Sequence, residues 1–157
     1  MKSNLITLVQ SKAFEGCGIM GFEVQSKVVD FQLAMDEAVR ILGVEATGYP
    51  GDALVGTWGA LQVAISFDPD DAVVAPNDDE QFCQFSLGFD VIGVTGGNNP
   101  SLSEFRDYSN VNLLTVRNLG IIVAAMNAYP WYVTVKVLYE KYKPTQNELV
   151  QLISRRR

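Results

Sequence analysis

Apolar residues along this chain recur mostly with a period of two. The clearest stretch runs from Trp131 to Tyr139. Trp131, Val133, Val135, Val137 and Tyr139 share one face, and Tyr132, Thr134, Lys136 and Leu138 the other. That alternation is the mark of a half-buried strand, because successive side chains leave a strand on opposite sides. Pro130 precedes it, where a missing N–H costs little. From Cys83 to Val91 the odd positions are apolar and the even positions, Gln84 to Asp90, are small or polar. Further runs predict strands over 3–9, 22–33, 38–46, 55–67, 111–117 and 120–127, which with 82–92 and 131–141 makes about eight. Between 22 and 33 the alternation slips a phase at Val28-Val29, which suits a β-bulge. Gly56, Gly59, Gly88 and Gly120 inside strand patterns also suggest bulges or bends. No internal repeat is evident.

Two stretches carry a helical signal. Asp36 to Gly43 has acids at its start and glycine at its end, as a short helix would, but its flanks read as strand and favour a strand here too. Thr145-Gln146-Asn147-Glu148 fits a capping box directly after Pro144. Leu149, Val150, Leu152 and Ile153 then mark one helical face before Arg155-Arg156-Arg157. The pattern divides the chain into a single β-sandwich over 1–143 and a short C-terminal helix with a basic tail over 144–157.

Composition agrees with one globular domain: 157 residues, 48% hydrophobic and 19% charged, a size that buries roughly 70% of the unfolded surface. The longest apolar run, Leu119 to Met126, falls short of the about 20 residues a membrane helix needs. Met1 to Gln10 is interrupted by polar residues and lacks the apolar core of a signal peptide, so secretion by that route is not expected. The chain has no histidine. That excludes Ser-His-Asp and Cys-His catalysis, histidine general bases and most catalytic zinc sites. Cys17 and Cys83 match no metal or redox spacing and read as buried free thiols.

The net charge is −6, yet Lys136, Lys141, Lys143, Arg155, Arg156 and Arg157 place six of the twelve bases at the C-terminal end. A uniformly basic nucleic-acid clamp is excluded. Lys141, Lys143 and Arg155 to Arg157 remain candidates for contact with nucleic acid or another acidic surface, and the arginines could equally cap the last helix. Asp68 to Glu80 holds six of the eighteen acids. Clustered carboxylates can hold a hard cation, so Asp68, Asp70, Asp71, Asp78 and Asp79 are candidate calcium ligands, although their order does not match an EF-hand loop. The alternative is a solvated surface loop, its carboxylates held apart by repulsion. Gly16-Cys17-Gly18-Ile19-Met20-Gly21 spells G-x-G-x-x-G, but Phe22 onward alternates like a strand, where a dinucleotide site needs a helix. A carboxylate pair could hydrolyse glycosides without histidine, and Asp30 and Asp90 are the acids that stand out in strand patterns. No Ser-x-x-Lys occurs. Thr95 to Asn110 reads as a long connection between two sheets.

About eight short strands without long helices point to an all-β sandwich, and uneven loops suit an eight-stranded jelly roll. In this the chain resembles the single jelly-roll viral capsid proteins. The resemblance rests on Ala38 to Ala46, on Asn118 to Ala125, and on the closing strand Trp131 to Tyr142 followed by Lys143-Pro144-Thr145. It implies a structural, self-assembling coat subunit without catalysis, located in the virion. Its partners would be copies of itself, with other coat proteins and the genome as further candidates, and it needs no cofactor beyond a possible calcium ion. Many such proteins begin with a basic arm that binds genome, whereas only Lys2 and Lys12 precede Lys27 here. The basic C-terminus would then be the part that faces the genome. The alternative is a β-sandwich module that binds carbohydrate or protein at Trp58, Trp131 or the 95–110 connection.

Overall fold

A computed structural model describes residues 10–17, 22–50, 58–75, 77–90, 102–126 and 130–155. Among these described residues nine strands and one helix follow in chain order: β1 (Gln10–Cys17), β2 (Phe22–Val29), β3 (Ala38–Pro50), β4 (Trp58–Ser66), β5 (Gln81–Asp90), β6 (Leu102–Asp107), β7 (Leu114–Thr115), β8 (Leu119–Met126), β9 (Pro130–Tyr142) and α1 (Gln146–Ser154). One sheet has the order β1-β9-β3-β6, with the two-residue β7 also on β3. The other has the order β2-β8-β4-β5. All pairs are antiparallel. Leaving β7 aside, the pairing is nested: β1 with β9, β2 with β8, β3 with β6, and β4 with β5. A long hairpin rolled into two facing sheets produces that nesting, and it defines the jelly roll.

The core lies between the sheets. Val133, Val135, Val137 and Tyr139 of β9 face it, as their alternation predicts, with Leu61, Val63 and Ile65 of β4 and Leu119, Ile121 and Val123 of β8. In β3 the core positions are Val39 and Ile41, then Val44 and Ala46. The change of phase is absorbed by a register shift, since Ile41 pairs Tyr139 while Gly43 pairs Leu138, leaving Leu42 as the extra residue. A second shift, between Ile65 and Ser66, leaves Phe82 extra on β5. Outside the core, Ala64, Ile122 and Ala124 on the opposite face of their sheet are also buried. The outer face of the β9 sheet carries ion pairs, with Arg40 Nη1 donating to Glu140 Oε1 at 2.7 Å and Lys136 Nζ 3.9 Å from Glu45 Oε2.

Several sequence expectations are corrected. The first described strand is Gln10–Cys17, and 3–9 lies outside the described residues. β2 stops at Val29, and its pairing with β8 is continuous, so Val28-Val29 is not a bulge. Gly59, Gly88 and Gly120 also pair without a shift, and Gly56 lies outside the described residues. Of 111–117 only Leu114–Thr115 is strand. Within 95–110, residues 102–107 form β6. Gly16 and Cys17 complete β1. The rest of the glycine motif lies outside the described residues, and the next element is a strand, so the helix a dinucleotide site requires is not there.

Candidate assembly surface

The topology gathers particular connections at one end of the sandwich. Residues 30–37 join β2 to β3, 67–80 join β4 to β5, and 108–113 join β6 to β7. The end of β9 and α1 lie at the same end.

The acidic segment is an ordered loop built from its own side chains. Asp68 Oδ1 accepts from Asp70 N at 3.0 Å, and Asp78 Oδ1 accepts from Glu80 N at 2.9 Å. Short Asp side chains favour such local turns. The buried organiser is Gln81. Its Nε2 donates to Asp71 Oδ2 at 2.8 Å and to Val73 O at 2.6 Å, and its Oε1 accepts from Ala75 N at 3.0 Å. Partial burial raises the Asp71 carboxyl, but donors from Gln81, Ser66 and the Val73 backbone outweigh it and hold Asp71 below its ordinary value. Of the candidate calcium ligands, Asp68, Asp71 and Asp78 accept bonds within the loop; Asp68, Asp70 and Asp79 are at the surface and Asp71 and Asp78 half-buried. Among the described residues no group of three acidic or cysteine side chains converges as a metal site.

The basic candidates are separated. Lys143 Nζ lies 2.8 Å from Asp36 Oδ2 in an exposed ion pair. The hydrogen bond and charge of each partner lower the Asp36 pKa and raise that of Lys143. The pair thus stabilises the fold above the ordinary carboxyl value of 3.8 and below the ordinary lysine value of 10.5, and the benefit fades as pH falls through the lowered Asp36 value or rises through the raised Lys143 value. Asp36→Asn is expected to lower the urea midpoint slightly near neutrality and not at all well below pH 3.8. An equal loss at both pH values would show that the pair contributes nothing through charge. Lys141 Nζ donates to Gln32 O at 3.3 Å. That carbonyl belongs to a residue with φ of 51°, a left-handed conformation supported by its N–H donating to Asp30 Oδ1 at 2.8 Å. Arg155 is the exposed C-cap of α1, its N–H donating to Gln151 O at 3.1 Å. Arg156 and Arg157 lie outside the described residues.

α1 has the anticipated capping box. Thr145 N donates to Glu148 Oε2 at 2.8 Å, and Glu148 N donates to Thr145 Oγ1 at 3.4 Å. Donation to the Glu148 carboxylate from Thr145 N and from Thr145 Oγ1, the latter at 3.0 Å, lowers the Glu148 pKa. Yet no residue of α1 is buried. Val150 and Ile153 on its apolar face are 62% and 47% exposed.

They are not alone. Met35 is 99% exposed, Val73 62% and Val111 53%. Each sits in one of the three connections at this end of the sandwich. Sequence reasoning missed this grouping, because the five residues are scattered along the chain and only the topology brings them to one end.

The hydrolytic and thiol readings fare differently. Asp30 follows the end of β2 near Ser66, whereas Asp90 pairs with Trp58 at the far end of β4. Eight steps at about 3.3 Å put them roughly 25 Å apart, too far for a glycosidase pair. Trp58 begins β4 and Trp131 is the second residue of β9, both at that far end, and their side chains lie outside the described residues. Cys83 is a buried free thiol. Burial raises its pKa, and burial together with Cys83 raises that of neighbouring Tyr108. Cys83 should therefore alkylate far more slowly in the native protein than in denaturant, as peptide mapping after iodoacetamide would show. Equal rates would mean that this part of the core opens readily.

No family model and no curated protein sequence matches the chain. Solved structures do. The chain is similar to that of Desmodium yellow mottle tymovirus, at 10% identity and a TM-score of 0.44 over 93% of this chain and 94% of that one. It is similar to infectious bursal disease virus VP2 in a subviral particle, at 11% identity and 0.40, over 92% of this chain but 34% of that one. It is similar to VP1 of Trichodysplasia spinulosa-associated polyomavirus, solved with 3'-sialyllactose, at 9% and 0.37, over 90% and 99%. All three are virus structures, and at these identities the likeness is one of fold.

Proposed function

We propose that this chain is a structural subunit that assembles with copies of itself into a closed coat around a viral genome. The observation that carries the reading is the apolar end of the sandwich. Met35, Val73 and Val111 stand exposed in its connections, and Val150 and Ile153 on the helix that follows β9. Apolar side chains grouped within a charged rim mark a surface that meets a partner. Repeated use of one such surface by identical subunits closes a symmetric shell. The role asks for no catalytic group, and the wrapped sandwich is an architecture that coat domains use, as lectins and cupins also do.

The test is size. The purified chain should form species many times heavier than 17.3 kDa by mass photometry, with closed particles in negative stain. A monomer at every accessible concentration would count against the coat and favour a ligand-binding module on the same scaffold.

A further inference from the structure

Among the described residues, nothing buries the apolar face of α1 and no carboxylate pairs with Arg155 at its end. An amphipathic helix gains its stability in a protein mainly by burying its apolar stripe. Here Leu149 and Leu152 are only half-buried, and Val150 and Ile153 stand largely in water. Arg155 makes no ion pair among the described residues, and the sequence continues with Arg156 and Arg157. The chain also has a surface of opposite character. The six acids of 68–80 stand without a single base among them and equal the entire net charge of −6, so the remainder of the chain is neutral. Asp70, Asp79 and Glu80 are exposed, and Val73 offers an apolar side chain 62% exposed within the same loop. The ion pairs Arg40–Glu140, Lys136–Glu45 and Lys143–Asp36 lie elsewhere.

We propose that α1 docks on the acidic loop of a second copy of this chain, with Val150 and Ile153 packed near Val73 and the arginines paired to the loop carboxylates. The inference rests on the coat proposal and names the contact that would drive it. Charge complementarity selects the occupant: a strongly cationic helix end meets the most anionic segment that any copy presents. An apolar anchor within a charged rim is also how protein interfaces concentrate their energy. Because the loop is fixed by Gln81 and its own Asp turns, it presents its carboxylates with little ordering left to do on docking.

Four proteins test this: wild type; Arg155→Glu with Arg156→Glu and Arg157→Glu; Asp70→Lys with Asp79→Lys and Glu80→Lys; and the two sets combined. Self-association is read by analytical ultracentrifugation and negative stain at low and high salt. Each set alone should weaken association about tenfold or more, and the combined protein should recover it, as expected for coupled charges. A fifth protein, Val150→Ser with Ile153→Ser, changes only exposed positions and should weaken association by a similar factor.

If the single sets assemble as wild type does, the docking contact is wrong and the coat reading stands. If wild type forms only small oligomers that lose and regain association with the charge sets, the contact is right and the coat reading falls. If wild type is monomeric throughout, both fall. If reversing the arginines costs co-purified nucleic acid and the combined protein does not recover association, the tail serves nucleic acid and the docking contact is overturned.

Discussion

Tyr139→Ala is expected to cost about 3–5 kcal/mol of folding stability, the range for emptying a buried aromatic site. Tyr139 is 1% exposed and lies in β9 directly opposite Ile41, which is fully buried. Its ring meets that of Phe31 edge-on, with centroids 4.5 Å apart and planes at 66°. Such a pair adds about 0.5–1.5 kcal/mol beyond its buried area. Against a total stability of about 5–15 kcal/mol for a domain, the loss is large enough to read directly in urea midpoints. Tyr139→Phe keeps the ring and should cost much less. The consequence extends to the proposed assembly end. Phe31 opens the connection that carries Met35, and its N–H donates to Asn118 Oδ1 at 3.0 Å. Removing the ring that Phe31 packs on would loosen that connection. A loss below about 1 kcal/mol for Tyr139→Ala would place the centre of the core elsewhere.

What the sequence made legible follows from where each strand sits. β9 and β4 are central, flanked on both sides by other strands, so every second residue must be apolar and the pattern is plain. The capping box of α1 is legible because it is local, needing only Thr145 and Glu148 three residues apart. β6 was hidden because it inverts the rule. Arg106 pairs with Val44 and Glu104 with Ala46, so both charged residues are on the core-facing side, while Phe105 points out and is 55% exposed. β6 is an edge strand, and core-side charges on an edge discourage pairing with stray strands. The Arg106 guanidinium finds a place 5.6 Å over the Phe85 ring. β2, another edge, behaves alike: Lys27 pairs with buried Ile121, while Val24 and Val28 face outward and are 42% and 39% exposed. That is why the alternation around Val28-Val29 looked like a bulge. The acidic loop could be located from composition alone. Its place at the same end of the sandwich as Met35 and Val111 could not, because that depends on which strands pair across the roll.

Gly120→Ala should destabilise by about 1–3 kcal/mol, the usual cost of forcing extra volume into a packed site, and should also displace the acidic loop. A Cβ at Gly120 would lie 2.7 Å from Asp68 O and 3.5 Å from Pro69 Cα. Both are backbone atoms, so no rotamer change relieves the clash. Either β8 or the start of the loop must move. The loop start is held from two sides, by Asp68 N donating to Ser66 Oγ at 3.0 Å and by Phe67 N donating to Glu80 O at 2.9 Å, and Ser66 is fully buried. Moving Asp68 therefore disturbs the closure that sets the loop's carboxylates in place. Gly43 provides the control. A Cβ there would come within 2.8 Å of Phe105, the far end of an exposed side chain that can swing away, and its nearest backbone atom, Arg106 O, would be at 3.2 Å rather than 2.7 Å. Gly43→Ala is expected to be the milder change, with the loop untouched. The pair separates a global from a local effect. If Gly120→Ala weakens self-association beyond what its stability loss explains and Gly43→Ala does not, the position of the acidic loop matters to assembly. If both variants associate as wild type does, it does not, and the close approach at Gly120 serves folding alone.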